Sequence, residues 1–332
     1  KTREIWANVQ AQAALVSVSK ASEFPSIALN AGANHNWPAN AAAINQQNIG
    51  LSASYLLYDF GARSANLESA HQLLSAANAT QDSTVQSIFL SAVQAFYQTQ
   101  AALAALDAAK VSEQSAQASF AAAQARYTAG SATPADKLSA QTAYSQATLN
   151  RITADGNLKK AQGTLANVLG LDANKNITLV SANTITMPAN FSTNVDALIE
   201  QARLRRPDLQ AVAAQVKAAQ ANTDAAHAAG KPTISLSAAN NHDANGNLNS
   251  HSSSIGINVN VPIFSGYAPT YRVRAAEAQV EAKNAQLERL RLQIALDVWA
   301  AYQNLTTATQ ALQTTADLLD SATLSERTAL GR

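Results

Sequence analysis

The 332-residue sequence predicts a mainly α fold with a small membrane β-barrel portion. Long α-helical hairpins are tandemly repeated, and each chain supplies four β-strands, which three copies would pool into a twelve-stranded barrel. Three observations predict it: an internal repeat at near-constant spacing, strands with one apolar and one Ser/Asn face, and a helical pattern of roughly 65 residues without proline, far beyond an average globular helix.

Composition sets the frame. Aromatic residues are 5%, charged residues 14%, with one Met and no Cys. Ala, Gln, Ser, Asn and Thr fill long tracts, so bulky apolar volume for a large globular core is missing. Alanine-rich helices bury their surface instead along thin, closely packed seams. Net charge is +1, with 23 basic residues interspersed among 22 acidic ones, which offers nucleic acid no basic face. No run of 18 or more apolar residues occurs, so a membrane-spanning helix is not expected. The first residues already carry a helical pattern (Ile5, Val9, Leu15, Val18). The expectation is a mature or trimmed chain whose targeting segment lies outside it.

The repeat is read directly. FPSIALN (Phe24 to Asn30) returns as KPTISLS (Lys231 to Ser237), IGLSASYLLYDFG (Ile49 to Gly61) as IGINVNVPIFSG (Ile255 to Gly266), and RYTAG (Arg126 to Gly130) as RTALG (Arg327 to Gly331). All three offsets lie between 201 and 207. The order of elements that follows is a helix over 1–24, a β-hairpin over 25–60 around a loop at 32–48, and a long helical hairpin over 61–170 with its tip at 127–137. A linker over 171–194 of short strand and loop material leads into the second copy. There a helix over 195–230 precedes a β-hairpin over 231–265 around a loop at 240–253, and a long helix fills 266–332.

In the strands, Leu51, Ala53, Tyr55 and Leu57 oppose Ser52 and Ser54, while Ile234, Leu236 and Ala238 oppose Ser235 and Ser237. Ile255, Ile257, Val259, Val261 and Ile263 oppose Gly256, Asn258, Asn260 and Pro262. One face for lipid and one for water is the pattern of a transmembrane barrel strand. A half-buried strand of a soluble sheet alternates in the same way, so the strands alone leave both readings open. The helices decide. Leu67, Leu74 and Ile88 form one row, Phe89, Phe96 and Leu103 another, and Val298, Leu305, Leu312 and Leu319 fall seven apart. A helix near 100 Å, at about 1.5 Å per residue, needs neighbours of similar length. Pro134 opens the return helix, Gly170 ends it, and Pro207 predicts a break. Four strands cannot close a barrel without leaving edges in lipid, so the chain must pool strands with copies of itself.

These segments together resemble the outer-membrane efflux and secretion channel family typified by TolC, over essentially the whole chain. The most specific stretch is RPDLQAVAAQVKAAQANTDAAHAAGKPTISLS, Arg206 to Ser237, similar to the family's Arg-Pro-Asp-Leu segment, Ala-rich helix and strand start. YDFG (Tyr58 to Gly61) and PIFSG (Pro262 to Gly266) look like its strand-to-helix junctions. RYTAGSATPADKLSAQ (Arg126 to Gln141) looks like the periplasmic tip of its first helical hairpin. The resemblance implies a homotrimer in the bacterial outer membrane, reaching into the periplasm. There its α-helical periplasmic tunnel would meet a periplasmic adaptor protein and an inner-membrane transporter. It marks Arg126, Tyr127, Gly130, Asp136, Leu138, Arg327 and Gly331 as tip, gate or adaptor-contact positions. Asp136 matches the aspartate whose polar links hold the tunnel entrance shut. In the second tip Thr328 stands where the family usually has an aromatic, and the final helix is expected beyond Arg332.

Gly61 and Gly266 are candidate strand-to-helix hinges, since glycine reaches backbone angles closed to other residues. Ser52, Ser54, Ser235, Ser237, Asn258 and Asn260 are candidate water-facing lining. Asp317 and Asp320 form acidic rings favouring cations if they face a lumen, and otherwise solvate a helix face. Tyr127 and Leu138 either contact the adaptor or pack across the turn. His242, Asp243 and His251 fall in an apparent polar loop and are read as solvated polarity, with no metal or cofactor. No Gly-rich phosphate loop, GxSxG, HExxH or thiol is present, so no enzyme is expected. The function predicted is a passive exit duct for efflux or type I secretion. A non-conducting trimeric coiled-coil adhesin or spacer with a β anchor is the different-class alternative.

Overall fold

In a computed structural model, described for residues 2–37, 39, 43–175, 177, 194–245 and 248–330, the chain runs α1 (Thr2–Ala21), β1 (Ser26–Asn36), β2 (Ile44–Tyr58), α2 (Ala62–Thr128), α3 (Pro134–Val168), α4 (Val195–Arg205), α5 (Pro207–Ala228), β3 (Thr233–Asn245), β4 (Leu248–Asn260) and α6 (Ala268–Leu330). Most of the 171–194 linker lies outside the described residues. The described residues fall into two compact units, one within 1–83 and 192–332, the other within 84–191.

The first unit holds one antiparallel sheet in the order β1-β2-β3-β4. The two hairpins of the repeat lie side by side through β2 and β3, leaving β1 and β4 as edges. Register puts Ser26, Ser54, Ser237 and Gly256 in one row and Tyr55, Leu236 and Ile257 in the next. Because side chains alternate across a sheet, these rows project to opposite faces. The apolar face carries Ile27, Leu29, Leu51, Ala53, Tyr55, Leu236, Ile255 and Ile257. Ile255 is 78% exposed, so within one chain nothing covers it.

Two expectations are corrected here. The polar stretches 32–48 and 240–253 are mostly strand, since pairing runs on to Asn36↔Ile44 and Asn245↔Leu248. A ladder needs only backbone donors and acceptors, so Asn, Gln, Ser and Gly can prolong it without an apolar face. Leu57 also loses its assigned place. A register shift between Leu56 and Tyr58 brings Tyr58 opposite Ile234, so Tyr58 takes the apolar-face position.

In the same unit α5 packs on α6 through small residues. Ala211, Ala214, Ala218, Ala221 and Ala228 are buried at spacings of three, four and seven, a seam of 3.5-residue period. Each buried methyl contributes on the order of 0.8 kcal/mol, and the short side chains let the helices approach closely. Ile294 of α6 is fully buried.

The second unit joins the distal part of α2 to α3. Ala95, Thr99 and Leu106 are buried on α2, and Ala147, Leu158, Leu165 and Ala166 on α3. Buried Thr99 donates its hydroxyl to the Ala95 carbonyl at 2.7 Å, which removes the cost of an unpaired polar group. Phe120 stacks on Tyr144 with centroids 6.1 Å apart, and Arg151 Nε donates to Glu113 at 2.6 Å.

Candidate functional site

The polar face of the sheet is built by side chains that bond one another across strands. The hydroxyls of Ser26 and Ser54 lie 2.8 Å apart, Asn30 donates to Ser52 at 3.2 Å, and Asn258 donates to Ser237 at 2.8 Å. Ser235 pairs with Asn258, and Asn260 with Thr233. All six candidate lining residues therefore share one face, a water-compatible surface with no catalytic constellation.

The two strand-to-helix junctions share a backbone device. Gly61 has φ 91° and follows Phe60 at φ 56°; Gly266 has φ 64° and precedes Tyr267 at φ 62°. Two successive left-handed residues turn the chain sharply, and a bulky residue in that region is strained. Sequence reasoning found the glycines but not their partners, because nothing in the types Phe and Tyr signals a positive φ. At the first junction Asp59 Oδ2 accepts from the backbone N–H of Arg63 at 2.9 Å and its Nε at 3.0 Å, while Oδ1 accepts from Gly61 N–H at 3.2 Å. Burial pushes the Asp59 carboxyl up, but the bonds from Arg63 and Gly61 outweigh it and hold the group below its ordinary value.

At the tip, α2 ends in a Schellman turn. Ser131 N–H donates to Arg126 C=O at 2.9 Å and Gly130 N–H to Tyr127 C=O at 3.0 Å, with Gly130 at φ 76°. α3 then starts with a capping box. Asp136 Oδ2 accepts from the Thr133 backbone N–H at 2.9 Å and hydroxyl at 2.7 Å, and Asp136 N–H donates back to Thr133 Oγ1 at 3.2 Å. The Thr133 hydroxyl and then its N–H lower the Asp136 carboxyl from its ordinary value. Lys137 Nζ lies 5.3 Å over the Tyr127 ring, and Leu138 is 59% exposed.

The remaining candidates are dispersed. Asp317 and Asp320 are exposed and three apart on α6, so they share a helix face. Arg327 lies in the last turn of α6, and Gly331 lies outside the described residues. His242 and His251 are not in a loop: they are direct cross-strand partners with rings stacked at 4.2 Å. Asp243, one residue on, pairs with Ser250 and projects to the opposite face, so the three do not converge. Among the described residues no group of three or more potential ligands gathers, and no helix is long and apolar enough to cross a membrane.

An open four-stranded sheet with one apolar and one polar face, continued into very long Ala-rich helices by paired left-handed turns, defines a channel-wall subunit of the outer-membrane type. The family model described as "Outer membrane efflux protein" matches residues 3–171 and 198–329, and the chain belongs to that family. It is thus an outer-membrane protein extending into the periplasm, and its homologues are channels, not enzymes. Protein CyaE of Bordetella pertussis is 29% identical over 314 residues, covering 92% of this chain. The chain spans 66% of that relative's length. Outer membrane protein TolC of Vibrio cholerae is 24% identical over 310 residues, covering 90% of this chain and 69% of the relative. Crystal structures of CusC, described in terms of folding and transmembrane channel formation, match with TM-score 0.77 at 23% identity. That match covers 94% of this chain and 74% of CusC. The adhesin alternative is not favoured by these relatives.

Proposed function

We propose that the chain forms, as a homotrimer, the wall of a passive exit duct in the outer membrane. The duct serves a tripartite efflux or type I secretion system and couples to a periplasmic adaptor and an inner-membrane transporter. The observation that carries this reading is the sheet. Its edges β1 and β4 are unpaired within the chain, and its apolar face is exposed on β1, β2 and β4 and half-buried on β3. In lipid every backbone group must be paired, so the edges need the strands of two further copies. Closure gives twelve strands, lipid outside and the Ser/Asn face lining water.

Opening is assigned to movement of the α2–α3 hairpin at its tip, where Arg126, Tyr127, Gly130, Asp136 and Leu138 lie. Gly61 and Gly266 take the hinge role, and acidic rings from Asp317 and Asp320 would favour cations in the lumen. The test is planar-bilayer conductance of the purified full-length protein, together with disulfide trapping between cysteines placed on β1 and β4. Large pores and crosslinked trimers are expected. A protein that inserts without conductance, or crosslinks only as dimers, overturns the proposal.

A further inference from the structure

We infer that the groove between the end of α5 and the first turns of α6 binds the headgroup of an ethanolamine phospholipid; this rests on the reading that the apolar sheet face lies in lipid. The groove has a volume of about 440 Å³ and is lined by His227, Lys231, Thr270, Arg274 and Glu277 around Gly230 and Pro269. Its position follows from a chain of contacts. Ile234, on the apolar face, pairs with Tyr58. Tyr58 meets Phe60 edge to face at 4.7 Å, and Lys231 Nζ lies 5.7 Å from the Phe60 ring. Lys231 therefore stands at the end of the apolar face from which α6 departs, on the side that would meet lipid.

The segment that leads from β4 into the first turn of α6 carries side chains suited to an interface. Phe264 and Tyr267 meet edge to face at 5.7 Å and are 77% and 68% exposed, and the Arg274 guanidinium lies 5.6 Å over Tyr271. Exposed aromatic rings gather where hydrocarbon gives way to headgroups. Ile263, 94% exposed, and Val261, 55% exposed, continue the apolar surface on which acyl chains would lie.

Charge selects the headgroup. Lys231 and Arg274 supply two cations for a phosphodiester, with the Thr270 hydroxyl beside them. Glu277 follows Arg274 by three positions, one helix turn, and supplies a carboxylate for an ammonium. Among the described residues none of the three is in an ion pair; Lys231 and Arg274 rest against the rings of Phe60 and Tyr271, which leaves their charges unneutralised, and Glu277 has no cationic partner. A primary ammonium can donate hydrogen bonds to Glu277. The quaternary ammonium of phosphatidylcholine cannot, and phosphatidylglycerol has no cation to offer.

The experiment inserts the full chain into vesicles of equal phosphatidylethanolamine, phosphatidylglycerol and phosphatidylcholine, releases it in mild detergent, and counts retained lipids by native mass spectrometry. Phosphatidylethanolamine should be retained preferentially. Lys231→Ala and Arg274→Ala should each weaken retention about fivefold, the effect of about 1 kcal/mol per interfacial cation. Glu277→Gln should shift the preference to phosphatidylglycerol. Equal retention of the three lipids by inserted wild-type protein, or a preference untouched by all three substitutions, overturns the inference. Protein that does not enter vesicles at all defeats the barrel reading itself.

Discussion

Arg206 Nη1 donates to Asp297 Oδ2 at 2.8 Å, joining the start of α5 to the middle of α6 across 91 positions of sequence. The same guanidinium grips Asp208 through Nε at 3.1 Å and Nη2 at 2.6 Å. Arg206 therefore sits at the α4–α5 break, just before Pro207, and fixes both helices to α6. Its planar fork makes the three bonds together, which a lysine ammonium cannot copy. Arg206→Lys should cost about 1 kcal/mol, since the group is a third exposed and solvent screens the pairs. Hydrogen exchange of the first turn of α5 should accelerate while the sheet amides stay unchanged.

Asp59 gives the first junction a pH dependence. Its carboxyl is held below the ordinary value of 3.8, so the folded state favours the charged form. Such a group stabilises above its unfolded pKa and loses that contribution as pH falls through the folded one. Asp59→Asn should be less stable than wild type by about 1 kcal/mol at pH 7. Thermal melts should show that difference closing below about pH 4.

The sequence made the helices legible because their signals are local. Pro134 and Pro207 occupy first-turn positions, Gly130 and Gly170 follow helix ends, and alanine spacing marks the α5 seam. The face assignments of Ser52, Ser54, Ser235 and Ser237 were equally readable, being set by a period of two. What escaped was long-range or purely backbone in origin. Nothing in the sequence pairs Arg206 with Asp297, Glu113 with Arg151, or His242 with His251. Strand length escaped too, since Asn34, Gln46 and Asn241 look like loop by composition while their backbones complete the ladder.

Glycine substitutions separate strained from unstrained sites. Gly61→Ala and Gly266→Ala force a Cβ into the left-handed region and should each cost about 1 kcal/mol, although neither Cβ would meet a neighbouring atom. Gly156, inside α3, has helical backbone and equally open surroundings. Gly156→Ala should stabilise the chain by about 1 kcal/mol. Chemical denaturation curves of the three variants should move in these opposite directions.

The tip variants test whether Asp136 does more than cap a helix. Thr133→Ala removes the hydroxyl that both receives the Asp136 N–H and donates to its carboxylate. It should loosen the start of α3, seen as faster proteolysis between Thr128 and Pro134. Asp136→Asn keeps an acceptor oxygen for Thr133 but discards the charge. If the carboxylate also holds the duct entrance shut, Asp136→Asn should raise single-channel conductance at neutral pH while Thr133→Ala changes it little. Wild-type conductance should then rise only when pH falls below the ordinary aspartate value, because the Thr133 bonds keep the group charged to lower pH. Equal conductance in both variants and wild type confines Asp136 to capping.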